Sequence, residues 1–439
     1  MTTASLDSDD ILVDVDDLSV HFSLRSGLLD RMFGGRGNVV KAVDGVSLRL
    51  RRGEVLGLVG ESGSGKSTLG RAILGMVAAT SGCIRFSGHD VTSMGRRELK
   101  ELRSRAQMVF QDPHASLNPA MNLLTAIGHP LRIHGRVKSK AELRQRVGDA
   151  MERVGLTPVD DFMTKYPSDL SGGQKQRAVI ARAIVLGPAM VVADEPVSML
   201  DMSVRSKVLQ LMIDLKSALG LTYVYVTHDL ATARFFCDRV AILYLGRVVE
   251  FGSVGDIFAD PKHPYTRALL DAIPDPDLSR GEQRSLPRGE IPDAARPPAG
   301  CSFHPRCPLA FESCGWEGRD LRQLLERRWT AGDVEAFAAE RAVVGNLDDL
   351  DADGLEVTLE PAARHSVDDV RDLLVSIRDG DPDEPFWKGV SDLTQTSSGV
   401  RITFHEHTDP RLKLVDNREV ACLLYPAVSQ EETRIRSAR

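Results

Sequence analysis

The chain has 439 residues, enough for one large domain with a smaller one or for two to three ordinary domains. Its hydrophobic fraction of 42% and charged fraction of 27% are typical of a globular protein. The net charge of −7 argues against a broad basic surface for nucleic acid, and no apolar run is long enough to cross a bilayer. Residues 1–10 are polar and lack the regions of a secretory signal, so we expect a disordered tail on a chain that stays in the cytoplasm.

The pattern of apolar residues predicts strands that alternate with helices. The predicted strands are residues 11–26, 46–50, 55–59, 190–193 and 222–226. Helical spacing begins at Thr68 and also covers 140–156 and 175–186. Because strands and helices alternate, the fold class is expected to be α/β, with a doubly wound parallel sheet. Strand character is weak over residues 115–180, which predicts a helical subdomain there.

The composition changes after Asp260. Residues 274–300 are rich in proline and charge and predict a loop or linker. The charged segment 317–415 still carries structural signals, because Ser366 begins a helix-capping pattern and residues 400–404 alternate like a strand. We therefore predict a small charged α/β insert over 317–415.

Residues 60–67 read Gly-Glu-Ser-Gly-Ser-Gly-Lys-Ser, between a predicted buried strand and a predicted helix. Glycines let consecutive backbone N–H groups point at phosphate oxygens, and the helix N-terminus adds a favourable dipole. Lys66 is expected to neutralise phosphate charge and Ser67 to bind Mg²⁺. The alternative is a glycine-rich turn without a ligand. The candidate ATP-binding residues here are Gly60, Ser62, Gly63, Ser64, Gly65, Lys66, Ser67 and Thr68.

Two acidic residues, Asp194 and Glu195, end the apolar run that begins at Met190. At the carboxyl end of a parallel strand, Asp194 would reach Mg²⁺ beside the phosphate loop. Glu195 would lie nearer the terminal phosphate and activate the attacking water. Such a pair could also simply begin a loop.

The segment Leu170-Ser171-Gly172-Gly173-Gln174 precedes this acidic strand and opens a helix. Free N–H groups and a hydroxyl at that helix end would form a second anion site. With the phosphate loop upstream, this motif resembles the signature of ABC ATPases, and the resemblance covers about 11–258. It implies an ABC ATPase domain over 11–260, with a RecA-like core, an antiparallel β subdomain and a helical signature subdomain. Ser171, Gly172, Gly173 and Gln174 would bind the ATP of a partner.

Further positions match the family one by one. Gln111 resembles the glutamine that senses Mg²⁺ and the attacking water and faces the transmembrane partner, and His228 resembles the switch histidine at the terminal phosphate. Asp201 resembles the aspartate of the loop that crosses the dimer interface, although Met199 departs from the usual alanine. Phe22 matches the aromatic that stacks on adenine, with a core aromatic as the alternative.

Three segments resemble the dipeptide and oligopeptide importers within this family. They are residues 110–119, 263–270 and 300–308 with Cys314. This resemblance implies an importer-type C-terminal region over 261–316 and 416–430, interrupted by the 317–415 insert and followed by a tail at 431–439. Peptide transport rests on this resemblance alone, and nickel chelates or glycosides remain alternative cargoes.

Cys301, Cys307 and Cys314 are clustered, with Cys422 far along the chain. Their spacing is wider than in most structural zinc sites, and Pro308 after Cys307 is a feature of ferredoxins. Some peptide-importer ATPases carry a four-cysteine [4Fe–4S] site in this tail, so we expect these four cysteines to bind one. Zinc and no metal remain alternatives, because the insert separates Cys422 from the others.

The resemblance also implies partners. ATP and Mg²⁺ would lie between two ATPase subunits, with a heterodimer favoured over a homodimer. Two permease subunits would hold the complex at the cytoplasmic face of the membrane, and an extracytoplasmic solute-binding protein would deliver cargo. No nucleic acid is expected. The alternatives are a soluble ABC ATPase acting on nucleic acid or ribosomes, and an inactive regulatory subunit, which the intact catalytic residues disfavour.

Overall fold

The computed structural model describes residues 10–23, 39–273, 287–332, 334–351 and 354–426. The chain divides into two compact units, Met1–Ala259 and Asp260–Arg439. Four predictions lie wholly or partly outside the described residues. They concern the 1–10 tail, the end of the 11–26 strand, the 274–300 linker and the chain after residue 426.

The first unit contains both the strands and the helices predicted for an α/β fold. Its strands are β1 (Ile11–Ser23), β2 (Val39–Arg51), β3 (Val55–Val59), β4 (Ser81–Phe86), β5 (His89–Asp90), β6 (Ala106–Val109), β7 (Met190–Asp194), β8 (Thr222–Thr227), β9 (Arg239–Tyr244) and β10 (Arg247–Ser253). Its helices are α1 (Lys66–Ile73), α2 (Arg96–Arg105), α3 (Pro113–Ser116), α4 (Leu123–Ile133), α5 (Lys140–Arg153), α6 (Val159–Thr164), α7 (Gly172–Ile184), α8 (Met202–Leu219), α9 (Leu230–Phe236) and α10 (Val254–Ala259).

The central sheet of this unit has the strand order β10-β9-β3-β8-β7-β6. β3 pairs in parallel with β8 and β9, and β7 pairs in parallel with β6 and β8. Every residue of β3, β7 and β8 is buried, as expected of apolar runs covered on both faces. The α/β class and the parallel core are therefore confirmed.

A second, antiparallel sheet has the order β2-β1-β4-β5. Val15 of β1 lies opposite Leu48 of β2 and Ile84 of β4, so apolar side chains meet across the sheet. The pairing of β1 with β2 contains several register shifts, and β2 begins earlier than the 46–50 run predicted.

The described residues from 113 to 184 contain helices and no strand. Asn122 and Ser139 cap α4 and α5 by accepting hydrogen bonds from Thr125 and Glu142 backbone N–H groups. The two helices approach closely at Gly128, where an added Cβ would lie 2.8 Å from Leu143 Cδ1. Residues 115–180, where strand character was predicted to be weak, are thus helical in the structure.

The second unit is also mixed α/β. Its helices are α11 (Pro264–Asp271), α12 (Gly318–Ala331), α13 (Val334–Val343), α14 (Val367–Gly380) and α15 (Phe386–Gly389). Its strands are β11 (Glu356–Leu359), β12 (Val390–Gln395), β13 (Val400–Phe404), β14 (Lys413–Val415) and β15 (Arg418–Val420). β13 lies between β11 and β12, and β14 pairs with β15 as an antiparallel hairpin. The capping box predicted at Ser366 is present at the start of α14.

Within the described ranges, none of the helices combines the length and the apolar character that a membrane span requires.

Candidate active site

The predicted phosphate loop connects β3 to α1. Gly60 has φ +155°, and a Cβ there would lie 2.2 Å from the Leu243 carbonyl oxygen. Gly65, directly before α1, has φ +95°, and its Cβ would lie 2.0 Å from the Ala42 carbonyl oxygen. Neither position has room for a side chain, so the loop needs glycine for both conformation and space.

Lys66 is buried at the base of this loop. Its ammonium donates hydrogen bonds to the Gly60 carbonyl at 2.8 Å, the Glu61 carbonyl at 2.7 Å and Ser64 Oγ at 3.3 Å. Burial lowers the pKa of Lys66, while the negative charges of Glu195, Asp194 and Glu61 oppose that shift. The ammonium therefore lies inside the ring of backbone that would surround a phosphate.

Ser67 and Asp194, two of the residues predicted to bind Mg²⁺, form a hydrogen bond with each other. Ser67 Oγ donates to Asp194 Oδ1 at 2.8 Å, across the gap between α1 and the end of β7. Burial raises the pKa of Asp194, although the Ser67 hydrogen bond and the charge of Arg71 act in the opposite direction. A hydroxyl and a carboxylate oxygen are suitable ligands for Mg²⁺.

Arg71 also belongs to the site, although the sequence did not predict it. Its Nη2 atom lies 3.7 Å from Asp194 Oδ2. The available signal was helical spacing, because Arg71 follows Ser67 by four positions and so lies on the same face of α1.

Glu195 is held between the two other predicted catalytic residues. Its Oε2 accepts a hydrogen bond from Gln111 Nε2 at 3.0 Å, and its Oε1 lies 3.0 Å from His228 Nδ1. The three residues follow β6, β7 and β8, which are neighbours in the sheet. Gln111 thus contacts Glu195, whereas Ser67 and Asp194 bond to each other.

The backbone of Glu195 is also specialised. Its φ is +45°, which is uncommon for a residue with a side chain, and its N–H donates to the Val226 carbonyl at 2.9 Å. This bond anchors the end of β7 to β8. The carboxylate is therefore aimed by the backbone as well as by its two partners.

The Ser-Gly-Gly-Gln segment lies at the start of α7. Ser171 Oγ accepts from the Gln174 N–H at 3.3 Å, and Gln174 Oε1 accepts from the Ser171 N–H at 3.0 Å, forming a capping box. Ser171 and Gly172 are exposed. A Cβ at Gly173 would lie 2.7 Å from Val204 Cγ1, so glycine allows α7 to approach α8.

The remaining predicted residues lie at the surface. Asp201 directly precedes α8, is exposed, and makes no side-chain capping bond. Met199 beside it is 63% exposed. Phe22, on β1, is 44% exposed and therefore does not belong to the core, which removes the alternative reading of that position. Thr68 lies within α1, directly after Ser67.

The four C-terminal cysteines are free thiols. The pKa of Cys307 is raised to about 12 and that of Cys314 to about 11, chiefly by burial and also by the Cys422 thiol. Burial also raises the pKa of Cys301, with contributions from the other three thiols. However, no three or more His, Cys, Asp or Glu side chains in the described part of the chain form a group that could hold a metal ion. The geometry therefore does not support the predicted [4Fe–4S] site.

Two family models match this chain in sequence. The model for ABC transporters matches residues 43–198, and the model for the C-terminal region of oligopeptide/dipeptide transporters matches residues 249–314. The oligopeptide transport ATP-binding proteins OppF of Salmonella typhimurium and Escherichia coli are each 45% identical over 306 residues, covering 69% of this chain and 90% of their own length. The chain belongs to the ATP-binding proteins of oligopeptide and dipeptide ABC transporters.

One further relative, a curated protein, agrees with that membership. A Brucella ovis ATP-binding protein named for peptide import is 46% identical over 313 residues, which is 71% of this chain and 94% of its own length. A dimeric ATP-binding cassette solved with ADP and phosphate is 29% identical, with a TM-score of 0.49, and covers 55% of this chain and 99% of its own.

Membership of the ABC family identifies the α/β fold of the first unit and implies ATP binding and hydrolysis coupled to transport. Neither family model extends beyond residue 314, so residues 318–404, with their own helices and three-stranded sheet, lie outside both.

Proposed function

We propose that this chain hydrolyses ATP to energise an ABC importer of dipeptides or oligopeptides. The phosphate loop and Lys66 bind the phosphates, and Ser67 and Asp194 hold Mg²⁺. The ion, when bound, neutralises charge that develops on the phosphate oxygens. Glu195 orients the attacking water and accepts its proton, while Gln111 and His228 position the Glu195 carboxylate. The peptide cargo follows the names of the relatives.

The observation that carries the hydrolytic role is the position of the Glu195 carboxylate. It accepts from Gln111 and contacts His228, each at 3.0 Å, and it follows directly the aspartate that bonds Ser67. A site that only binds nucleotide needs the phosphate loop and a cation, whereas a hydrolytic site also needs a positioned base.

We expect the Glu195→Gln variant to bind ATP and to lose hydrolysis by about a hundredfold or more, since an amide cannot accept the proton from water. Phosphate release and retention of radiolabelled ATP measure the two effects separately. Glu152→Gln, which changes an exposed glutamate on α5, is the matched control. Full activity of Glu195→Gln would contradict the assignment of the base.

We propose that Ser171, Gly172, Gly173, Gln174 and Asp201 complete the nucleotide site of a second ATPase subunit, and that this partner is a different chain. Exposure of Ser171, Gly172 and Asp201 supports this role, because these groups are free to meet a partner. If the Glu195→Gln chain forms a stable dimer by itself with ATP, as measured by light scattering, the heterodimer proposal is wrong. A dimer that needs the second chain agrees with it.

We further propose that two permease subunits bind this chain peripherally at the cytoplasmic face of the membrane. An extracytoplasmic solute-binding protein would deliver the peptide. In cells that depend on peptide uptake, deletion of this chain should abolish accumulation of a labelled dipeptide or oligopeptide. Unchanged accumulation, or loss of nickel or glycoside uptake instead, would contradict the peptide cargo.

The finer hypothesis for the tail is that Cys301, Cys307, Cys314 and Cys422 bind a [4Fe–4S] cluster. The electrostatic interaction among the buried thiols supports it, and the lack of a metal-holding group weighs against it. After anaerobic purification, about four irons per chain and their loss in Cys422→Ser are expected. An iron-free, colourless protein would contradict the hypothesis and leave the ATPase proposal intact. The Cys83→Ser variant is the matched control.

A further inference from the structure

A cavity of about 460 Å³ lies within the second unit, apart from every residue of the nucleotide site. It is formed by α12, α13, α14 and the segment at α15. Its aromatic wall consists of Trp329, Phe337 and Trp387, and Leu324 and Ile377 add aliphatic surface. This volume falls within the range of pockets that hold small organic molecules, which are mostly apolar with a few polar groups.

Most of the charged side chains around this cavity already have partners. The Arg328 Nε–H is shared between both oxygens of the Glu340 carboxylate at 3.0 Å, and Arg328 Nη2 donates to Oε1 at 2.7 Å. The Glu384 carboxylate accepts from Arg288 Nη1 at 2.9 Å. These two pairs hold charged side chains of the cavity wall in place. Their charges are neutralised within the protein and are not offered to a ligand.

Two charges of opposite sign at the cavity remain available to a ligand. Arg327 has only a long contact of 3.7 Å from Nη2 to Glu384, which Arg288 already neutralises. Asp381 is exposed, and among the described residues no hydrogen bond or ion pair reaches its carboxylate. The cavity therefore offers one cation and one anion beside an aromatic wall.

Two hydrogen-bond donors at the cavity also lack acceptors. The Trp387 indole Nε1 and the Arg327 Nε are buried and have no partner within the described part of the chain. Buried donors of this kind are rare, because the protein loses their hydration and gains no hydrogen bond in return. Both belong to side chains that line the cavity, so a small turn of either side chain would present its donor to a ligand carboxylate.

We propose that this cavity binds a small zwitterion with an apolar body, which is the chemistry of a free amino acid or a dipeptide. The ligand carboxylate pairs with Arg327 and Trp387 Nε1, and the ammonium group pairs with Asp381. The apolar side chain packs against Trp329 and Phe337. This proposal does not depend on ATP hydrolysis, because no residue of the nucleotide site takes part.

Intrinsic tryptophan fluorescence of the full chain provides a direct test, because two of its three tryptophans line the cavity. We expect saturable changes on titration with L-phenylalanine or L-leucyl-L-phenylalanine, and the tighter of the two identifies the source. N-acetyl-L-phenylalaninamide, which lacks both charges, should give none. Absence of a saturable change with both zwitterions through the millimolar range, or equal binding of the blocked compound, would overturn the proposal.

Variants test which residues hold the ligand. Arg327→Gln and Asp381→Asn should each weaken binding about tenfold or more, because each removes a charge-assisted hydrogen bond. Arg378→Gln and Asp379→Asn are matched controls on the neighbouring surface, where the two residues pair with each other. Arg327→Lys retains the charge and should recover part of the affinity, which separates a ligand contact from a folding defect. Wild-type affinity in both cavity variants would overturn the proposal.

Discussion

Asp194 combines two requirements that conflict. Its side chain is almost fully buried, which disfavours its charge, yet its proposed role in holding Mg²⁺ requires an ionised carboxylate. Ser67 and Arg71 offset only part of this cost, since the pKa of Asp194 remains raised. Without nucleotide, the buried charge therefore destabilises the fold, and the functional residue is not the most stable choice at its position.

We expect Asp194→Asn to raise the unfolding free energy of the nucleotide-free protein by about 1 kcal/mol. Asparagine keeps an acceptor for the Ser67 hydroxyl and removes the buried charge. The same variant should lose magnesium-dependent ATP hydrolysis. Thermal unfolding and phosphate release measure the two effects, and a lower melting temperature would contradict the prediction. Asp214→Asn, on exposed α8 surface, is the control.

The stability difference between Asp194→Asn and the wild type should also depend on pH. Folding raises the pKa of Asp194 above the ordinary value of an aspartate, so the folded state binds this proton more tightly than the unfolded chain does. The advantage of the variant should be largest near neutral pH. It should shrink as the pH falls through the raised pKa toward the unfolded value. A constant difference across this range would exclude Asp194 as the cause.

The sequence was sufficient to predict the phosphate loop, Asp194, Glu195 and the signature segment, because each motif is continuous in the chain. The family resemblance assigned Gln111 and His228 to the site, but their contacts with Glu195 were not predicted, since the three residues follow separate strands. Arg71 was missed because its four-residue spacing from Ser67 places it on the same face of α1 but is too common a helical pattern to indicate a site.

The phosphate loop shows how a secondary-structure junction restricts residue choice. Gly63 and Gly65 both have positive φ, but only Gly65 lies against another backbone segment, at Ala42. Both positions therefore favour glycine because φ is positive, and Gly65 is required in addition because a side chain would not fit there.

Gly63→Ala should lower the unfolding free energy by about 1 to 2 kcal/mol, the usual cost of left-handed backbone for a residue with a Cβ. Gly65→Ala should cost clearly more, because its Cβ would lie 2.0 Å from the Ala42 carbonyl oxygen. Chemical denaturation without nucleotide compares the two. Equal losses would show that the close contact relaxes.

The strands were predicted accurately where every residue of the strand is buried. The apolar runs over 55–59, 190–193 and 222–226 match β3, β7 and β8 closely. The run at 46–50 predicted only the end of β2, because the earlier part of that strand is partly exposed and bulged in its pairing with β1. Exposed residues of an edge strand interrupt the alternation of apolar and polar residues from which a strand is predicted.

At the scale of the whole chain, the second unit contains a buried contact between a histidine and a carboxylate. His304 Nε2 lies 3.1 Å from Asp320 Oδ2, and His304 Nδ1 donates to the Cys301 carbonyl at 2.8 Å. Both side chains are almost fully buried. His304 thus connects the segment that contains Cys301 to the first turn of α12.

Asp320→Asn should lower the unfolding free energy by about 2 kcal/mol, since it removes the buried carboxylate charge that contacts His304 Nε2 and accepts from the Glu317 N–H. ATP binding, which uses residues of the first unit, should be unchanged. Differential scanning calorimetry and a nucleotide-binding assay provide the two measurements. The exposed Asp383→Asn is the control, and identical melting of the two variants would contradict a stabilising role for the pair.

The long stretch of chain between Cys314 and Cys422 also has a consequence for synthesis of the protein. The Thr408 N–H donates to the Ser313 carbonyl at 3.1 Å, so the chain after α12 to β13 returns to the residue that precedes Cys314. A ribosome completes the whole nucleotide site, and then the whole insert, before it adds Cys422. Assembly around the four cysteines is therefore among the last folding events of the growing chain, and a message truncated after the insert yields a protein with its ATPase residues and without this closure.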